Sequence, residues 1–363
     1  MAEVEPVNGS ENRDRRIAVV LMNLGGPDNE AAVQPFLFNL FSDPQIIRLP
    51  NPLRWLVARI ISRRRAPVAR EIYANIGGKS PILEETDAQA VALEAELDRR
   101  GITSQVFVTM RYWHPFAQET VEAVKAFQPD EVVLLPLYPQ FSTTTSQSSL
   151  MDWERAARAT GLDAPARQIC CYPLVDDFIQ AHAALLIRSL EKAGYDIAEN
   201  LHATRVLFSA HGLPRKIVDA GDPYPLQIEA TARALAQSLP WTGLDWRISY
   251  QSRVGPLEWI GPDTETEIVA AGRDGKAIVV VPIAFVSEHS ETLVELDIEY
   301  RDLALKSGVS RYIRVPALGI EDHFIRALGD VVMAGLDGKR ADGWQCPSGK
   351  TCLRGRIRPG GEA

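Results

Sequence analysis

The sequence predicts an α/β fold built as two similar domains, each with a four-stranded parallel sheet flanked by helices. Three observations carry this. Short apolar, β-branched runs alternate with longer helical patterns, the signature of βαβ units. The rhythm occurs twice along the chain. Its 363 residues also exceed the size at which one core usually stops growing.

In the first half the strand candidates are IAVVLMNL (17–24), QVFVTM (105–110), EVVLLPLY (131–138) and QICCY (168–172). In the second they are RVLFSA (205–210), WRISYQS (246–252), KAIVVVPIAFV (276–286) and YIRVPAL (312–318), with helices such as 176–193 and 225–238 between them. The expected layout is a disordered lead-in over 1–15, domains over 16–177 and 178–330, and a tail over 331–363.

With 46% apolar and 24% charged residues the chain is of globular type, and a net charge of -8 argues against nucleic acid as a partner. The start carries acids and no apolar core before a cleavage site, so no targeting segment is expected. No run approaches the ~18 apolar residues of a membrane span. Four cysteines, two of them adjacent at Cys170 and Cys171, do not make a secreted disulfide framework and fit a reducing cytoplasm.

In open α/β sheets ligands lie beyond the carboxyl ends of the strands. Those ends read NLGGPD (23–28), RYWHP (111–115), YPQFSTTTS (138–146), SAHGLP (209–214), YQSRVGP (250–256) and VSEHSE (286–291). Several familiar motifs fail there. GGKS at 77–80 has Tyr73 where a phosphate loop needs glycine, and NLGGPD lacks the dinucleotide spacing. SAHG is not a nucleophile elbow. His289 and Glu291 form an H-x-E, with no P-C-x-x-C to complete a zinc site.

The stretch VSEHSETLVELDIEY (286–300) predicts a helix in which Glu288, Glu291, Glu295 and Glu299 fall within about 80° of arc at about 100° per residue. Leu293, Leu296 and Tyr300 bracket that stripe on one side, Val294 and Ile298 on the other. Like charges at these spacings oppose the helix. A solvated face would widen into polar residues, whereas a narrow acidic lane through apolar surface suits carboxylates lining a cleft. His211 ends a strand, is followed by Gly212 and Pro214, and should project into the same crevice as Glu291. Imidazole there suits proton abstraction or metal handling.

The segment LPNPLRWLVARIISRRRAP (49–67) sets Leu53, Trp55, Leu56, Val57, Ile60 and Ile61 beside Arg54, Arg59 and Arg63–Arg65. That composition fits an interfacial helix resting on anionic lipid, or alternatively a core helix ending in a solvated basic turn. The membrane reading predicts a greasy substrate.

From about Ile17 to about Gly329 the chain resembles the ferrochelatases, through NLGGP, RYWHP, LPLYPQFS, FSAHGLP, YQSRVGPLEWIGP and VPIAFVSEHSETLVELDIEY in that order. The resemblance implies two Rossmann-like, chelatase-type domains facing a cleft, with a hydrophobic lip at about 36–66. It implies a bacterial-type enzyme that inserts Fe2+ into protoporphyrin IX, releasing two protons, as the terminal step of haem biosynthesis. Ferrous iron is then a substrate, and the location is cytoplasmic, peripheral to the inner membrane.

In the family the residues matching His211 and Glu291 flank the macrocycle and are assigned to proton removal and metal delivery, in disputed order. Glu295 and Glu299, with His289 beside them, match its relay of acids. Leu24, Tyr73, Ser80, Arg111, Tyr112, Tyr138, Gln251, Ser252 and Trp259 fall in motifs that imply porphyrin contacts. Some members carry a [2Fe–2S] cluster, for which Cys170, Cys171, Cys346 and Cys352 are the thiols present, although Thr143 occupies one expected ligand position. Alternatives are a coproporphyrin ferrochelatase and a carrier of porphyrin or haem without chemistry. The assembly state is open, a homodimer included.

Overall fold

A computed structural model describes residues 15–345 except 254 and 256, so nearly all of the expected lead-in and the end of the tail, with Cys346 and Cys352, lie outside the described residues. Two parallel sheets form the frame. The first comprises β1 (Ile17–Asn23), β2 (Ser104–Met110), β3 (Glu131–Pro136) and β4 (Ala166–Gln168) in the order β2-β1-β3-β4. The second comprises β5 (Thr204–His211), β6 (Asp245–Gln251), β7 (Ala277–Pro282) and β8 (Tyr312–Arg314) in the order β6-β5-β7-β8. All the pairings are parallel, and each first strand lies between the second and third, which makes a topological switch point in each sheet.

The connections of the first half are α1 (Val33–Ser42), α2 (Asn51–Ala74), α3 (Ile82–Arg99), α4 (Ala117–Phe127) and α5 (Ser146–Thr160). Then follow α6 (Asp176–Lys192), α7 (Arg215–Asp219), α8 (Tyr224–Ser238), α9 (Thr264–Arg273), a π-helix (Glu291–Glu299), α10 (Tyr300–Lys306) and α11 (Asp322–Leu336). Every residue of β1 and β7 is buried, which is why those strands read as continuous apolar runs rather than alternating ones.

Alternate residues of β1 face different cores. Ala18, Val20 and Met22 pack on α4 and α5 through Val121, Leu150 and Trp153. Ile17, Val19 and Leu21 join a core that runs on through Phe178 and Phe324 to Val206 and Phe208 of the second sheet. The expected boundary at 177/178 falls in the first turn of α6, which packs on α8 and on α11; α11 in turn reaches back to α3, β3 and β4. Side chains bolt the halves as well. Asp222 accepts from Ser142 Oγ at 2.9 Å and Thr143 N at 2.7 Å, while Gln89 Nε2 donates to Val286 O at 2.7 Å and Gly319 O at 3.0 Å.

The strands end earlier than the apolar runs do. β3 and β7 both stop at a proline, Pro136 and Pro282, which has no N–H to donate. The next residue in each half bonds back to the central strand, Leu137 N to Met22 O at 2.8 Å and Ile283 N to Ser209 O at 3.0 Å. β4 covers Ala166–Gln168 instead of 168–172: Ile169 N makes a last bond to Leu134 O at 2.9 Å, and the buried residues after it leave the ladder, Tyr172 N bonding Pro139 O.

Candidate active site

His211 is the last residue of β5 and pairs in register with Gln251, the last of β6. Gly212 follows because a Cβ there would stand 3.0 Å from Gln251 O and 3.2 Å from Trp259 Cε3. That close approach seats the Trp259 ring with its centroid 6.4 Å from the imidazole. After β7 the chain turns through 283–290 and enters the π-helix at Glu291.

Three side chains meet there. His211 Nδ1 lies 2.6 Å from Gly212 O, which can only accept, so Nδ1 carries a proton and Nε2 faces Glu291 Oε1 at 3.6 Å. His289 Nε2 stands 3.6 Å from Glu291 Oε2, and its buried Nδ1 has no partner. Burial works against a charge on His211, but the attraction of Glu291 wins and pushes its pKa up to about 9. Burial likewise raises Glu291, and the nearby His211 and then His289 more than reverse it, holding the carboxyl far below its usual range. The side chains are 38% and 30% exposed, so water softens this pair. Among the described residues no group of three or more His, Cys, Asp and Glu is set to cage a resident metal ion.

The acidic lane differs from the α-helical expectation. Glu291–Glu299 is a π-helix, with i→i+5 bonds and a wider turn, so steps of four bring Glu291, Glu295 and Glu299 near one line. Glu288 precedes the helix and leaves the lane: its carboxylate binds Arg314 and accepts from Ala317 N at 3.0 Å. Glu295 is held on all sides, by Ser252 through N and Oγ, by Gln251 Nε2 at 3.0 Å and by Tyr300 Oη at 2.8 Å. Burial first and Glu291 second raise its pKa despite those donors. Glu299, at the far end of the π-helix, is exposed.

The expected porphyrin contacts divide into two groups. Tyr73, at the end of α2, lies close to Ser290 and Glu291 of the second half, its pKa pushed up to about 12 by burial, with Glu291 adding to the shift. Leu24 packs beside Tyr73 in the cluster of Val33, Phe36 and Tyr112. Trp259 borders His211 and keeps a buried indole N–H without a partner, as Tyr138 keeps a buried hydroxyl. The others face inward. Gln251 is fully buried, takes Ser209 Oγ at 2.7 Å and donates to Glu291 O at 3.0 Å, so it braces the π-helix. Ser252 serves Glu295. Ser80 is buried beside Gly26, with its N on Pro27 O at 2.8 Å. Tyr112 is fully buried with its hydroxyl on Asp43 at 2.7 Å, and Arg111 bonds Asp43 and Ser148.

Cys170 and Cys171 are buried with Phe141 and Trp344. Gln227 Nε2 and Arg340 Nη2 lie 3.5 and 3.6 Å from Cys171 Sγ. Sequence reasoning missed Asp43, Ser148, Arg314 and the Tyr300 hydroxyl, whose partners are mostly remote in sequence. The five-residue step from Glu295 to Tyr300 is the exception, a π-helical spacing that an α-helical reading places on another face.

A model of the ferrochelatase family matches residues 16–336. The chain belongs to the ferrochelatase family. It is 54% identical over 340 residues to the ferrochelatase of Phenylobacterium zucineum, covering 92% of this chain and 96% of that one. It is 51% identical over 340 residues to that of Caulobacter vibrioides (92% and 95%), and 47% over 338 residues to that of Pelagibacter ubique (91% and 96%). Among solved structures, SirB from Bacillus subtilis with Fe3+ aligns with a TM-score of 0.54 at 12% identity, covering 88% of this chain and 95% of that one. That likeness shows the chelatase fold. As a ferrochelatase, the protein is a metal-chelating lyase whose substrates are ferrous iron and a porphyrin.

Proposed function

We propose that this ferrochelatase inserts Fe2+ into protoporphyrin IX beside His211 and Glu291, which at 3.6 Å apart serve one face of the macrocycle, releasing the two pyrrole protons. The supporting observation is the unequal proton affinity of two side chains that face each other at 3.6 Å. Glu291, strongly acidic, offers a carboxylate to the cation, and His211, protonated at neutral pH because its pKa is raised to about 9, takes each pyrrole proton only after passing on the one it holds. The macrocycle loses two N–H protons and gains iron, so charge balances. Glu295, with its raised pKa, and exposed Glu299 give protons a way out once His211 must release what it has taken.

The test is an anaerobic optical assay of metalloporphyrin formation. His211→Ala and Glu291→Gln should bind porphyrin and fail to metallate it; normal turnover by both would overturn the assignment. A carrier without chemistry predicts no metallation by the unaltered protein.

Leu53, Trp55, Leu56 and Ile60 of α2 are exposed, with the Arg59 guanidinium over the Trp55 ring at 5.2 Å. That face supports peripheral attachment to an anionic membrane from the cytoplasmic side. No helix among the described residues is long and apolar enough to cross a bilayer. The same apolar face favours protoporphyrin over the more highly charged coproporphyrin, and turnover on each separates them. Of the four thiols proposed for a [2Fe–2S] cluster, the buried Cys170–Cys171 pair is described, and Arg340 beside Cys171 suits a thiolate ligand. These two cysteines fit half of the donor set. A cluster would supply visible absorbance in protein purified without oxygen.

A further inference from the structure

One buried carboxylate holds the root of the α1–α2 lip, and no motif pointed to it. Asp43 follows α1 directly, at the start of the connection to α2, and is 3% exposed. Its Oδ2 accepts from Arg111 Nη2 at 2.9 Å, from Tyr112 Oη at 2.7 Å and from Ser148 Oγ. Its Oδ1 accepts from Gln45 N at 2.8 Å, and its carbonyl from Ile47 N at 2.9 Å. Arg111 and Tyr112 follow β2, and Ser148 lies in the first turn of α5, where a negative charge is favoured. A strand end, a helix start and the lip therefore converge on one side chain.

The rest of the lip is held mainly by apolar packing. Val33, Phe36 and Leu37 of α1 pack with Tyr73 and Tyr112, and Asn39 Nδ2 donates to Tyr112 O at 3.1 Å. α2 buries only small side chains along its outer turns, Ala58, Ser62 and Ala66, and leaves its large apolar ones outside. Yet α2 carries Tyr73 to Ser290 at the site. The two halves are bolted through Asp222 and Gln89, so the fit of a planar substrate depends on where the lip stands.

We propose that Asp43 is a positioning residue: its carboxylate, clamped by Arg111, Tyr112 and Ser148, fixes the lip and with it the wall that receives the porphyrin. This rests on the reading of the cleft as the porphyrin site. Charge-assisted bonds of this kind fix geometry, and losing one or two of them corresponds to about tenfold or more in an equilibrium constant.

The full-length protein carrying Asp43→Asn tests it, with Tyr112→Phe as a milder second variant that removes a single donor. Steady-state metallation should show KM for porphyrin raised about tenfold in Asp43→Asn and about threefold in Tyr112→Phe, with kcat within about twofold. Amide exchange of the substrate-free protein should quicken over 33–74 and stay unchanged in β5–β7. A fall in kcat at unchanged KM, or exchange quickened across both sheets, overturns the proposal, as does an unchanged KM. Failure of the underlying porphyrin reading looks different, since the unaltered protein would then metallate no porphyrin whatever the exchange pattern.

Discussion

The strand ends of the two sheets are topological equivalents with opposite chemistry. In the first sheet, polar side chains after β2 turn inward and are used up on one another, Arg111 and Tyr112 on Asp43. In the second, His211 at the end of β5 and Glu291 after β7 face each other across 3.6 Å and keep unequal proton affinities. One end is closed on itself as a clamp, and the other is where we place the reaction. A duplicated βαβ frame supplies like strand ends twice, and the partners brought in from elsewhere in the chain set the two apart.

The sharpest way to break this contrast is by paired variants. Glu291→Gln should lower kcat by about a thousandfold, the scale of a lost acid–base partner, whereas Tyr112→Phe should leave kcat within about twofold. Equal losses in kcat would dissolve the distinction. Next in size is a backbone effect in the first sheet's loop. Gly25 has φ +84 and a Cβ there would stand 3.0 Å from Met110 Cβ, so Gly25→Ala should cost about 1–3 kcal/mol in denaturant unfolding.

A pH titration sharpens the other side. The folded pKa of His211, about 9, exceeds its ordinary 6.5, so its contribution to stability is complete below about 6.5 and lost as pH rises through about 9. Glu291 is the reverse, contributing above about 4.5 and losing that as pH falls toward its depressed value. The pair thus stabilises most between those limits. In Glu291→Gln, burial acts on His211 with its main attraction removed, and NMR should find its pKa near or below 6.5. A value still near 9 would mean the two side chains are uncoupled. Tyr300→Phe should have the smallest effect, a few-fold loss of kcat as Glu295 loses one donor, about 1 kcal/mol.

Much of this was legible in the sequence because it follows from local pattern. The buried strands announced themselves as β-branched runs, although the runs 131–138 and 276–286 were carried past Pro136 and Pro282, where the ladders stop. His211 beside glycine and proline at a strand end was correctly placed against Glu291. Glu288 was misassigned to the lane because the helical period was extended over a residue that precedes the helix and is taken by Arg314. Asp43 was invisible, since its partners lie 68, 69 and 105 residues away.

By itself, then, the sequence determined the two-sheet frame, the places of the strands along the chain and the residue types at each strand end, because burial and periodicity act over a few neighbouring residues. The tertiary structure alone decided which of those polar residues are satisfied and which are left to react. That choice depends on donors and acceptors brought together from distant parts of the chain, and on a helix whose winding is braced by Gln251 and Ser252 from another strand.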